Sequence, residues 1–232
     1  MIFLGLKYLI RVALSVNYVH RVQHLKTRIL GLSGSPRTSS NTAILVETAL
    51  EAAEQEGAIT EFIDLSYLDI RACKHCTDCS KTGKCTQDDD LNKVAETMKA
   101  ADGIIIGSPD HFASVATPMK NVMDRTGRFL HLEGKVAAGI IVGRRSGVDL
   151  ALSHLLFFLL VKEMVVPGAV YWPVGYALNA GDIRGDTEAM SMAEQVGKRV
   201  AILATTLVQS PLPWTHEERP PGQKVRFGDE WK

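Results

Sequence analysis

From Arg28 onward the chain alternates short apolar runs with stretches in which apolar residues recur at helical spacing. Arg28 to Leu32 reads as a short β-run ending at Gly34-Ser35-Pro36; Leu45, Ala49, Ala52 and Ala53 then repeat with a helical period until Gly57 stops them. Ala58 to Leu65 reads as the second strand. Leu91, Val94, Ala95 and Met98 form the stripe of the next helix, and Asp88, Asp89 and Asp90 stand at its N-terminus, where the helix dipole favours negative charge. Gly103 to Gly107 contains three successive isoleucines, the unbroken apolar run of a strand covered on both faces. Thr117 and Pro118 predict a helix start, with the hydroxyl as cap and proline at the first helical position. Val136 to Val142 is the fourth strand, Met164 to Tyr171 the fifth, and Asp186 caps a last helix carrying Ala189, Ala193, Val196, Val200, Leu203 and Leu207.

Five strands alternating with five helices predict an α/β fold, a right-handed doubly wound five-stranded parallel sheet, and of the orders such a sheet takes the flavodoxin-like 2-1-3-4-5 is chosen. Such a sheet binds ligands at the carboxyl ends of strands one and three, where the winding reverses. The helix over residues 148–162 is apolar on every side, Leu155 to Val161 without a break, yet shorter than the roughly 20 residues a bilayer needs. A helix apolar all round must be buried all round, which assigns one of its faces to another subunit.

Composition narrows the partners. Lys+Arg and Asp+Glu are both 26, so no global field draws the protein to nucleic acid or an anionic membrane. The 46% hydrophobic content is that of an ordinary globular domain, assigned to residues 28–209, with a Pro-rich tail over 210–232. Residues 1–27 are basic and largely apolar, but Lys7 and Arg11 interrupt the apolar run and no twin-arginine pair or cleavage site follows. Export and a membrane span are therefore rejected, and the protein is placed in the cytoplasm. What remains is a basic amphipathic helix lying on a surface or, the favoured reading, an extension preceding the native start, whose first codon would be for Val or Leu, such as those at Val22 or Leu25.

The cysteines carry the sharpest chemistry. Cys73, Cys76, Cys79 and Cys85 are the only four in the chain, and they fall within thirteen residues after the second strand. Two successive gaps of two residues let three thiolates converge from one turn, and the longer gap brings the fourth around. This suits a 4Fe-4S cluster. Structural zinc is the nearest rival, although zinc usually takes two Cys-x-x-Cys hooks well apart; disulfides are the weakest reading. His75, inside the run, reads as a solvated loop residue.

Three loops fall at the ligand-binding edge. Residues 33–42 place Ser33, Ser35, Arg37, Thr38, Ser39, Ser40 and Thr42 with Asn41 at a helix N-terminus, a cradle for phosphate. The loop lacks both the P-loop and the dinucleotide glycine patterns. The competing reading, a polar turn with Asn41 as N-cap, leaves the density of hydroxyls unaccounted for. Ser108-Pro109-Asp110-His111-Phe112-Ala113-Ser114 follows the isoleucine strand and Gly143-Arg144-Arg145 the fourth strand, and both can face a flat ring. Together the loops describe a flavin mononucleotide (FMN) pocket.

Gly34-Ser35-Pro36-Arg37, Asn41-Thr42, the cysteine run followed by Asp88-Asp89, Ala101-Asp102-Gly103, Gly107-Ser108-Pro109, Lys120 and Asp124-Arg125 resemble the NADPH-dependent FMN reductases, and the cysteine run resembles their iron-sulfur flavoprotein branch. The resemblance implies FMN in each subunit of a homodimer or homotetramer, the cluster of one subunit facing the flavin of another. It implies phosphate ligands at Ser33, Ser35, Arg37, Ser39, Asn41 and Thr42, and ring contacts at Ser108, Pro109, Phe112 and Ser114. His111 stands where relatives commonly have tyrosine, and Arg144-Arg145 where many have glycines.

The function expected is an FMN-dependent oxidoreductase passing electrons between a one-electron carrier such as ferredoxin and a two-electron acceptor such as a quinone or an oxygen species. Lys120, Asp124 and Arg125 are read as structural ion pairs. Two alternatives stay open: a cluster-free NAD(P)H-dependent FMN or quinone reductase, and a non-catalytic redox sensor or carrier.

Overall fold

The computed structural model describes residues 26–210, so the expectations for the N-terminal extension and the Pro-rich tail fall largely outside the described residues. Among the described residues, five strands form one parallel sheet in the order β2-β1-β3-β4-β5. They are β1 (Arg28–Ser33), β2 (Ile59–Asp64), β3 (Gly103–Pro109), β4 (Val136–Gly143) and β5 (Val174–Tyr176). Between them run α1 (Asn41–Gln55), the single turn α2 (Cys79–Thr82), α3 (Leu91–Ala100), α4 (Thr117–Thr126) and α5 (Val148–Val161), and α6 (Thr187–Gln209) closes the domain.

The winding direction decides what each face buries. Leu45, Val46, Ala49 and Leu50 of α1 pack with Ala193, Val196, Val200 and Ala204 of α6 on one side of the sheet. Leu91, Val94 and Met98 of α3, Met119 and Val122 of α4, and Leu152, Leu155 and Leu159 of α5 cover the other. The central strands β3 and β4 are buried almost throughout, as their unbroken apolar runs require. Strand β2 stands at the sheet edge and is only partly covered. Thr27 is buried and bonds Thr205 at 2.8 Å, so the folded region already includes the residue before β1.

Two local expectations are corrected. The segment 164–171 is not the fifth strand. Val165 makes a single parallel bridge to Val136, and the chain then swings away from the sheet. Pro167, Gly168 and Pro173 explain the excursion, since proline has no N–H for the ladder and glycine weakens a strand interior. The chain rejoins β4 only at Val174, opposite Ile141. The second correction concerns α4: Thr117 is its first residue and Ala116 its cap, with no side-chain capping bond; Pro118 does lie in the first turn. The Ala116 N–H is taken instead by Ser108 Oγ at 2.9 Å. Asp186 caps α6 as expected, accepting from the Ala189 N–H at 3.0 Å.

Candidate flavin and cysteine sites

The carboxyl edge of the sheet opens into a hollow of about 350 Å³, walled by residues 35–42, 109–111, 142–144 and 177–180. The first wall is the β1–α1 loop. Ser35 Oγ accepts the Arg37 N–H at 3.1 Å, and Ser39 adopts a left-handed φ of 50°. Ser40, not Asn41, caps α1, its Oγ accepting from the Ala43 N–H at 3.1 Å. Asn41 is engaged across the hollow: its amide donates to the Asn179 carbonyl at 2.8 Å, and its oxygen accepts from the Gly181 N–H at 2.9 Å. The start of α1 thus faces the opening while Asn41 fastens the far wall.

Of the predicted binding residues, the structure brings Ser35, Arg37, Ser39, Asn41, Thr42, Pro109, Asp110, His111, Gly143 and Arg144 onto this hollow. Ser33, Ser108, Phe112, Ser114 and Arg145 do not line it. Ser33 is fully buried at the end of β1, and Ser108 braces the start of α4. Phe112 is fully exposed on a tip where it and Ala113 both have positive φ, and Ser114 bonds His154 Nδ1 at 3.0 Å. Successive left-handed non-glycine residues mark stored backbone strain, which clusters at functional loops. Ser33 Oγ and Asp110 Oδ1 are buried without hydrogen-bond partners. The helix N-terminus at this edge fits a phosphate, and the unpartnered Asp110 Oδ1 on the same hollow is an acceptor for a ligand N–H or O–H.

The second site is the β2–α3 connection. Cys73, Cys76, Cys79 and Cys85 line one small hollow together with His75, Arg125 and Arg128. Cys79 and Cys85 are buried, Cys73 and Cys76 exposed. Left-handed φ values at His75 and Thr77 fold the loop back on itself, and the His75 N–H approaches Cys73 Sγ at 3.4 Å. Asn92 clamps Cys85 through both its N–H, at 3.1 Å, and its carbonyl, at 2.8 Å. Among the described residues no three His, Cys, Asp or Glu side chains stand close enough together to grip a single metal ion. The donor set, four thiols around one hollow with N–H groups directed at sulfur, still fits the chemistry of a thiolate-ligated cluster.

Lys120, Asp124 and Arg125 all stand in ion pairs, as their charges suggest, but not in one cluster. Lys120 and Asp124 pair with each other along the helix. Arg125 instead reaches the cysteine loop, donating to Asp89 at 2.5 and 2.9 Å and to Cys85 Sγ at 3.0 Å. Burial opposes the Asp89 charge, but the Arg125 guanidinium and the Arg71 and Leu91 backbone N–H groups outweigh it and hold the carboxyl below its usual range. Burial likewise opposes the Arg125 charge, and its bonds to Asp89 and Cys85 outweigh that and hold the guanidinium above its own range. Nothing in the local sequence pairs these residues, since Asp89 and Arg125 are 36 positions apart.

A doubly wound sheet with a polar hollow at its winding reversal defines a flavodoxin-like protein, and the comparisons narrow the class. Residues 27–179 match the profile of the NADPH-dependent FMN reductases, and the chain belongs to that family of flavin-dependent oxidoreductases. It is 36% identical to an iron-sulfur flavoprotein of Methanocaldococcus jannaschii over 184 residues, covering 75% of this chain and 95% of that one. An iron-sulfur flavoprotein of Archaeoglobus fulgidus is 32% identical over 194 residues, covering 76% and 95%. Among solved structures, a flavone reductase superposes with a TM-score of 0.61 at 22% identity, covering 78% of this chain and 64% of that one. A flavodoxin from the Archaea superposes at 0.54 with 17% identity, covering 77% and 99%. No helix among the described residues is long and apolar enough to cross a membrane.

Proposed function

We propose that the chain is an FMN-dependent electron-transfer oxidoreductase of the iron-sulfur flavoprotein type, passing electrons between a one-electron carrier such as ferredoxin and a two-electron acceptor such as a quinone or an oxygen species. The observation that carries this reading is the presence, on one fold, of a phosphate-ready hollow and a separate hollow lined by the chain's four cysteines. When bound, FMN supplies exchange between electron pairs and single electrons, and a 4Fe-4S cluster supplies single-electron transfer. The residues bind and orient. Arg37 and the free N–H groups at the start of α1 hold the phosphate, with the Ser35, Ser39 and Thr42 hydroxyls beside them. Asn41 contributes by fastening the 179–183 wall. Pro109, Asp110, His111, Gly143 and Arg144 flank the ring. Cys73, Cys76, Cys79 and Cys85 are the cluster ligands, and copies of the chain assemble as a homodimer or homotetramer.

Cys79→Ala, prepared without oxygen, tests the separation of the two sites: about one FMN per chain is retained and the iron is lost. Loss of flavin together with the iron, or full retention of iron, contradicts the reading. A second reading, a cluster-free NAD(P)H-dependent FMN reductase, is favoured by the family's description. Under it, NAD(P)H oxidation by Cys79→Ala matches that of the parent protein.

A further inference from the structure

Arg125 carries a full charge and is 2% exposed. A buried charge is costly unless it is paired and hydrogen-bonded, and Asp89 alone pairs it in bidentate fashion. Neutralisation therefore leaves two features unexplained. One Nη2 hydrogen is directed at Cys85 Sγ, 3.0 Å away, and Nε is buried without a partner on a side chain that lines the thiol hollow. Asp89 is itself fixed, accepting from the backbone N–H groups of Arg71 at 3.1 Å and Leu91 at 3.2 Å. A donor, a cation and an anion thus stand in series behind one sulfur.

We propose that Arg125 tunes the cluster: its N–H···S bond sets a positive charge against the Cys85 ligand and favours the reduced state, while Asp89 limits how much of that charge the sulfur feels. The inference rests on the cluster reading above. Reduction adds one electron to the cluster and needs no proton, so its net charge becomes more negative by one. A cation and an N–H donor at a ligand sulfur stabilise that added charge, and an anion behind the cation offsets it. Arg125 and Asp89 therefore act on the midpoint potential with opposite signs. A brace that merely ties the cysteine loop to α4 would not distinguish them.

The test is a potentiometric titration of the full chain followed by electron paramagnetic resonance, with iron and FMN content measured first. Arg125→Gln makes the cluster harder to reduce, by about tenfold in the reduction equilibrium, or about 59 mV for one electron. Arg125→Lys keeps the charge and shifts the potential less. Asp89→Asn makes the cluster easier to reduce. Full iron content with an unmoved Arg125→Gln potential overturns the inference, as do shifts of the same sign for Arg125→Gln and Asp89→Asn. If Arg125→Gln does not fold, Asp89→Asn decides alone: an upward shift supports the inference, and no shift or a downward one overturns it. Parent protein without iron overturns the cluster reading and this inference with it, whereas full iron with unmoved potentials overturns the inference only.

Discussion

Arg37 is the only arginine on the wall formed by residues 35–42. Replacing it with alanine removes a charge-assisted bond of about 1.5–3 kcal/mol, so FMN binding weakens roughly ten- to a hundredfold, measured by flavin fluorescence, while thermal stability changes little. Asn41→Ala acts differently. It frees the 179–183 segment, and its effect on flavin binding comes with a loss of stability. The hydroxyl-rich loop was legible because its residues are contiguous, but the engagement of Asn41 was not, because its partner Asn179 lies 138 positions away. The same distance problem hid Arg125 from its true partners. Their pairing has a pH signature: the Asp89 carboxyl titrates near 3.8 when unperturbed and lower when folded. Its stabilisation is fully present above the unperturbed value and is lost as the pH falls through the folded one. Asp89→Asn is therefore less stable than the parent in urea at pH 7, and the difference shrinks toward pH 3, the urea midpoints at the two pH values being the check.

At the scale of elements, α1 and α6 touch so closely that a side chain cannot be added between them. A Cβ on Gly197 would stand 1.8 Å from the Ala49 carbonyl oxygen. Gly197→Ala forces the helices apart and lowers stability by about 1–3 kcal/mol or more, read from chemical denaturation, despite the better helix propensity of alanine. Periodicity located α1, α3, α4 and α6, because each carries its own stripe, and an unbroken apolar run located α5. The pattern failed at the fifth strand because the apolar residues of 164–171 serve a different surface. That excursion and α5 wall an apolar cavity of about 340 Å³, and Val170, Tyr171 and Trp172 are exposed beside it. A run of apolar residues reports burial or a binding surface, and alone it does not report pairing to a sheet.

For the whole molecule, alternation and the rule that parallel crossovers are right-handed predict a doubly wound sheet, and the flavodoxin-like order 2-1-3-4-5, chosen among the orders these rules allow, is the one observed. What alternation cannot supply is the assembly. Leu150, Phe157, Leu160 and Val161 remain exposed along α5, the helix whose composition called for cover on every side. We infer that a second copy covers this face, so Phe157→Glu with Val161→Glu should shift the protein to a monomer in sedimentation experiments, with FMN still bound. The single measurement closest to the central claim is the content of iron, acid-labile sulfide, zinc and FMN in protein prepared without oxygen. The account predicts about four irons, four sulfides and one FMN per chain. Stoichiometric zinc without iron, or protein without flavin, would contradict it.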